Sequence, residues 1–187
     1  MKSTSVRTLI VLFVGLAAPN AMAQEVIYGA SEGELLFGFT ANYRYAHADG
    51  VSGAADETES FTGRGSLSWF LQREHEVGFE LAPSFIRNEL GGDSIDVYAG
   101  AFYNYNWWTS PQMTLYAGPQ IGFLRSDPSG GDSDIAFSWG AHVGVRFWID
   151  PRVSIDIEPR VSFTSLDDSL GGDESVFDVL FGISVRL

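Results

Sequence analysis

The sequence predicts an all-β protein, an eight-stranded antiparallel up-and-down β-barrel of the transmembrane type. Three observations predict it. After residue 23, apolar residues recur at every second position and nowhere hold a 3.6-residue period. One parity of each of eight segments carries no charged residue at all. The opposite parity holds small and charged residues, which suit the inside of a narrow barrel better than a water-facing sheet.

The apolar faces can be read in order. The first has Leu35, Phe37, Phe39, Ala41, Tyr43 and Tyr45; the second runs by twos from Phe61 to Leu71. The third runs from Val77 to Phe85, the fourth from Ile95 to Trp107, and the fifth from Met113 to Phe123. Ile135 to Ile149, Val153 to Phe163 and Phe177 to Leu187 complete the set. Tight connections are expected at Gln72–Glu76, Trp108–Gln112 and Asp150–Arg152, two of them with Ser-Pro or Asp-Pro turn signals.

The other connections, His47–Ser60, Arg87–Ser94, Arg125–Asp134 and Ser165–Ser175, are longer and acidic. Near-identical tips recur in them: GGDS at Gly91–Ser94 and Gly130–Ser133, and GGDES at Gly171–Ser175. Gly tolerates φ > 0 and Asp hydrogen-bonds its own backbone, so these are loop tips. The repeating unit is strand, short turn, strand, long loop, which places every tip at one end. Even-numbered strands also resemble one another, as AGAFYNYNWW (99–108) and WGAHVGVRFW (139–148) show.

Alternation does not say which face points inward; size does. An eight-stranded barrel encloses just enough room for side chains, too little for a full set of Phe, Trp, Tyr, Leu and Ile. The apolar parity is therefore expected to face lipid. Aromatic residues gather near the strand ends, at Trp69, Tyr105, Trp107, Trp108, Phe147 and Trp148 on the short-turn side. Phe61, Phe85, Phe123, Phe137, Phe163 and Phe177 mark the long-loop side. Two such girdles are expected at the two bilayer interfaces. Pro83, Pro119 and Pro159 fall on the apolar face, and each removes a ladder N–H, so bulges or strand ends are expected beside them.

Residues 1–23 read as a cleaved signal peptide: Lys2 and Arg7, the apolar run Leu9–Ala18, then Ala21-Met22-Ala23. The apolar run is too short for a spanning helix. Residues 24–187 are expected to form one barrel domain. Removing Lys2 and Arg7 from the 11 basic residues leaves nine, all Arg, against 24 Asp and Glu. That balance argues against nucleic acid, whose phosphates need basic patches. With no cysteine there is no disulfide, thiolate or Cys-based metal site.

The inward parity holds Glu34, Arg44, Arg64, Glu80, Asp96, Arg146, Asp156, Glu158, Arg160, Asp178 and Arg186, with His142 nearby. Buried charges must be paired, so this near-balanced set is expected to form a salt-bridge network filling the lumen. The alternative is a narrow ion path lined by Arg146, Arg160 and Arg186 facing Asp96, Asp156 and Glu158. No cofactor, metal centre or catalytic residue is expected. Acids crowd the long connections (Asp49, Asp56, Glu57 and Glu59 in the first; Asp167, Asp168, Asp173 and Glu174 in the last) without any recognised ligand spacing. Solubility and turn geometry explain them, and Ca²⁺ or Mg²⁺ binding is the sharper hypothesis.

Signal peptide, alternating strands, short turns opposite long loops, and the closing strand FDVLFGISVRL (177–187) together resemble the small outer-membrane barrels of Gram-negative bacteria, the OmpA-barrel, OmpX and opacity-like group. That group's last strand usually ends in an aromatic residue, whereas this one ends in Leu187 with Phe181 six positions earlier. The resemblance implies residence in the cell outer membrane, contact with its lipid and lipopolysaccharide, and recognition of strand 177–187 by the barrel-assembly machinery. With nothing after Leu187, no peptidoglycan-binding domain is expected. The implied role is structural or surface-interacting, with acidic extracellular loops and an unknown surface ligand. A porin-like channel for ions or small solutes is the second reading and a lipid A-modifying enzyme the third. The lipid A deacylases of this shape place His and Ser two residues apart; His47, His75 and His142 lack that spacing.

Overall fold

The computed structural model describes residues 28–49, 55–88, 93–128, 133–165 and 174–187. The signal segment and the glycine pairs of the GGDS tips (91–92, 130–131 and 171–172) lie outside the described residues. Eight strands follow in chain order: β1 (Leu35–Asp49), β2 (Ala55–Gln72), β3 (His75–Asn88), β4 (Ser94–Ser110), β5 (Met113–Pro128), β6 (Asp134–Asp150), β7 (Val153–Ser165) and β8 (Glu174–Arg186). Each pairs antiparallel with the next. β1 also pairs with β8, from Leu36↔Arg186 to Ala41↔Phe181, which closes the barrel.

Alternation in the sequence becomes alternation in burial. β6 shows it most regularly, with Ala136, Ser138, Gly140, His142, Gly144, Arg146 and Trp148 inside and their odd-numbered neighbours mostly exposed. The distribution inverts that of a water-soluble protein. Phe79 is 73% exposed, and Tyr43, Ile135, Phe177 and Phe181 lie open, while Glu76, Glu80, Arg146, Asp156 and Arg160 are buried. Only a surrounding lipid phase rewards that arrangement, because no barrel edge or apolar face then meets water.

The short connections are tighter than the sequence suggests. Residues 73–74, 111–112 and 151–152 are two-residue turns, so Glu76 belongs to β3 and Trp108 to β4. Twist-matched two-residue hairpins need positive φ, and no described non-Gly residue has it. Each hairpin instead absorbs the mismatch in a register shift just before the turn, between Phe70 and Gln72, Trp108 and Ser110, and Trp148 and Asp150.

The prolines do not produce the expected bulges. Beside Pro83 the β2–β3 register passes from Thr62↔Ser84 to Gly65↔Leu81 without shifting. Pro119 interrupts β4–β5 between Phe102↔Gln120 and Tyr105↔Ala117, and Pro159 interrupts β6–β7 between His142↔Arg160 and Val145↔Ile157. A missing N–H opens the ladder locally, while the pairs on either side hold the register.

Candidate functional site

The barrel interior divides into layers. Nearest the short turns is an apolar stopper of Ala30, Leu36, Phe70 and Trp148, against which Tyr28 and Trp108 pack. Residues 28–33, which the sequence reading left without a role, contribute Tyr28 and Ala30 to it. Gly29 adopts φ +92°, and a Cβ there would overlap the Trp108 ring, so glycine satisfies both backbone and space. Arg186 Nη1 donates to the Gly29 carbonyl at 2.6 Å and lies 3.5 Å from Glu34 Oε2. Glu34 and Arg186, expected in the lumen network, thus tie down the N-terminal segment at the barrel mouth.

Above the stopper lies a cluster around Arg146. Its Nε donates to Asp156 Oδ1 at 3.2 Å and its Nη1 to Glu76 Oε2 at 3.4 Å, with the guanidinium 5.0 Å from the Tyr116 ring centroid. Glu76 also accepts from Ser68 at 2.5 Å, Asn104 at 3.1 Å and Asn106 at 3.4 Å. Asp156 accepts from Ser154 at 3.1 Å and from Ser184. Each oxygen of these two carboxylates accepts at least one hydrogen bond, as buried charge requires.

A second cluster is centred on Arg160. Its fork meets Glu80 at 2.6 and 3.0 Å across the barrel, and Glu158 on its own strand at 2.7 and 3.1 Å. Tyr116 Oη donates to Glu158 at 3.1 Å, and Arg64 approaches Glu80 at 3.7 Å and Glu158 at 3.6 Å. His142 bridges the clusters: its Nε2 pairs with Asn104 Oδ1 at 2.5 Å, while the ring lies edge-on to Phe102 and Tyr116. The void among these groups measures about 30 Å³, room for one or two waters.

Toward the long loops the interior widens into a cup of about 190 Å³, walled by Ser60, Thr62, Ser84, Asp96, Gln120 and Asp178, with Arg64 and Tyr98 at its floor. Asp96 and Asp178 are therefore not part of the arginine clusters. Asp96 accepts from Ser126 at 2.6 Å and Asp178 from Asn42 at 2.9 Å. Arg44 pairs by backbone register with Ser60, and its side chain is outside the described residues.

The sequence reading missed Glu76, placed in a turn, although its even number shares the parity of Glu80. It also grouped Trp108 and Trp148 with the lipid-facing aromatics. Their even parity turns them inward, where Trp148 Nε1 donates to Thr114 Oγ1 at 3.2 Å. On the outer face, Trp69, Tyr105, Trp107 and Phe147 lie at the short-turn end, with Tyr105 and Trp107 in edge contact at 4.8 Å. Phe61, Phe85, Phe123, Phe137, Phe163 and Phe177 lie at the loop end, where Trp139 stacks on Phe163 at 4.5 Å. No group of His, Asp and Glu suited to a metal occurs among the described residues.

Several solved structures share this architecture. Neisserial surface protein A superposes with a TM-score of 0.66 at 16% identity, covering 85% of this chain and 100% of that one. Ail of Yersinia pestis gives 0.50 at 18%, covering 83% and 99%, and OprG of Pseudomonas aeruginosa gives 0.51 at 9%, covering 85% and 98%. At such identities the likeness speaks for the fold. No curated protein sequence matches. A family model described as the outer membrane protein beta-barrel domain matches residues 8–184, nearly the whole chain, and its setting agrees with the lipid-facing exterior. The chain is a member of the outer membrane protein beta-barrel domain family and resides in the cell outer membrane.

Proposed function

We propose that this protein is a sealed, non-catalytic barrel that anchors acidic loops at the cell surface, in a structural or surface-interacting role. One observation carries the reading: the Arg160 fork bridges to Glu80 across the barrel, above the Arg146 cluster and the Trp108–Trp148 stopper. A solute would have to break buried, hydrogen-bonded ion pairs at two levels and then displace residues 28–34. Removing one partner of such a pair strands a charge away from water, which is costly.

In this reading residues 1–23 direct export and are cleaved, and the twelve lumen residues from Glu34 to Arg186 serve stability. The assembly machinery recognises strand 177–187, while the aromatic rows contact lipid and lipopolysaccharide at the two interfaces. Ail has been solved with the heparin analogue sucrose octasulfate. A polyanion is a poor match here, because acids outnumber basic residues 24 to nine once Lys2 and Arg7 are removed from the 11. The experiment is single-channel recording of refolded protein in a planar bilayer beside Arg146→Ala. Silence from folded wild type is expected. Steady openings whose conductance changes with the variant would replace the sealed reading with the narrow-pore one.

A further inference from the structure

We propose that the outward face of β2–β4, at the short-turn end, is a binding site for the phosphodiester headgroup of a glycerophospholipid. The distribution of polar-tipped rings carries the inference. On β1 and β5–β8 the outward positions near the short turns are apolar throughout, as at Leu35, Leu115, Phe147, Ile155 and Val185. On β2–β4 the same end carries Trp69, His75, Tyr103, Tyr105 and Trp107. A girdle that only anchors the barrel gains nothing by gathering its N–H and O–H tips in one sector, because the interface surrounds the barrel evenly.

The register makes these rings neighbours. Trp69, Val77 and Tyr103 form one cross-strand row, and His75 lies opposite Tyr105 in the next. His75 Nδ1 and Tyr103 Oη are 2.7 Å apart, His75 meets Tyr105 edge-on at 5.3 Å, and Tyr105 meets Trp107 at 4.8 Å. The bond between His75 and Tyr103 uses one donor, and in either direction the pair keeps another. If the hydroxyl donates, His75 retains Nε2–H; if Nδ1–H donates, Tyr103 retains its O–H. Tyr105 Oη and the indole N–H groups of Trp69 and Trp107 have no hydrogen-bond partner among the described residues. No carboxylate stands on this outward sector, and Arg73, in the adjoining turn, is exposed with its guanidinium 4.7 Å over the Trp108 ring. Glu74, the carboxylate of that turn, is half-buried. Donors without acceptors are costly beside lipid and call for a ligand that only accepts. A phosphodiester brings charged oxygens and no donor. Its acyl chains continue over Val77 and the exposed Phe79, deeper on the same strand. The proposal rests on the reading above that the aromatic rows lie at the two interfaces.

The test is titration of residues 24–187, refolded in dodecyl maltoside micelles, with dihexanoyl phosphatidylglycerol. The readout is the His75 ring signals in NMR spectra, identified by their loss in His75→Phe. A saturable shift is expected. Tyr105→Phe or Trp107→Phe should weaken binding about tenfold, the effect of losing one hydrogen bond to a charged group. Glu74→Gln is expected not to weaken it. Heat-modifiable gel migration verifies that each variant is folded. The proposal is overturned if the His75 signals do not saturate, if both ring variants bind as wild type does, or if Glu74→Gln weakens binding as much as they do. It is equally overturned if dihexanoylglycerol, which lacks the phosphate, shifts His75 as strongly, or if inorganic phosphate alone does so. Quenching of tryptophan fluorescence in vesicles by lipids brominated at shallow acyl positions, compared between wild type and Trp107→Phe, reports separately whether the row lies at the interface. Shallow quenching of Trp107 without a saturable shift sinks the site alone. Absence of shallow quenching from Trp107 sinks the interface reading and the site with it.

Discussion

Replacing Arg160 with Met removes the positive centre of the upper cluster while keeping much of its apolar stem. Four N···O contacts disappear, at 2.6 and 3.0 Å to Glu80 and at 2.7 and 3.1 Å to Glu158. Tyr116 still donates to Glu158 at 3.1 Å, and Arg64, at 3.6–3.7 Å, offers a partial substitute. What dominates is two buried carboxylates left to share one cation, Arg64. Breaking a buried pair in this way costs about 3–5 kcal/mol. Removing one of the orphaned charges as well, in Arg160→Met with Glu80→Gln, should recover at least about half of that, since contacting residues couple by up to ~3 kcal/mol. The assay is reversible urea unfolding from lipid vesicles followed by tryptophan fluorescence, with gel migration reporting the folded fraction. A loss below about 1 kcal/mol for Arg160→Met, the range of an exposed pair, would refute the buried-network argument. So would a double variant less stable than the single.

Further outcomes follow from the other layers. Val143→Arg puts a charge on the exposed outer face of β6, near mid-strand, and should cost about 2–4 kcal/mol in bilayers; unchanged folding would mean the barrel's faces are reversed. The adjacent Gly144→Val should also destabilise, by crowding, because a Cβ there meets the Tyr116 ring; unlike Val143→Arg, its effect should be similar in detergent and in bilayers. Gly29→Val cannot keep φ +92° or clear the Trp108 ring, so residues 28–34 should lift from the mouth, read as faster proteolysis near the N-terminus with the barrel intact.

The division between what was legible in the sequence and what was not has a physical basis. Strand parity is a local property: successive side chains point to opposite faces, so Leu35 through Leu187 declared the eight strands, and their sheer bulk declared the outside. Family, location and the inward placement of Arg146, Asp156, Glu158 and Arg160 rest on that periodicity. Partnership is not local. Glu80 and Arg160 are 80 positions apart and meet only because closure of β1 on β8 fixes tilt and stagger around the ring. The same closure separates Asp96 and Asp178, in the cup, from carboxylates of equal parity in the clusters. Glu76 was misplaced because a turn's length cannot be fixed by composition alone, whereas Trp148 shares the inward parity of Arg146 and was grouped by its place near a strand end instead of by its parity. Residues 28–34 carry no alternation at all, and what holds them is a mouth that exists only after the barrel has closed.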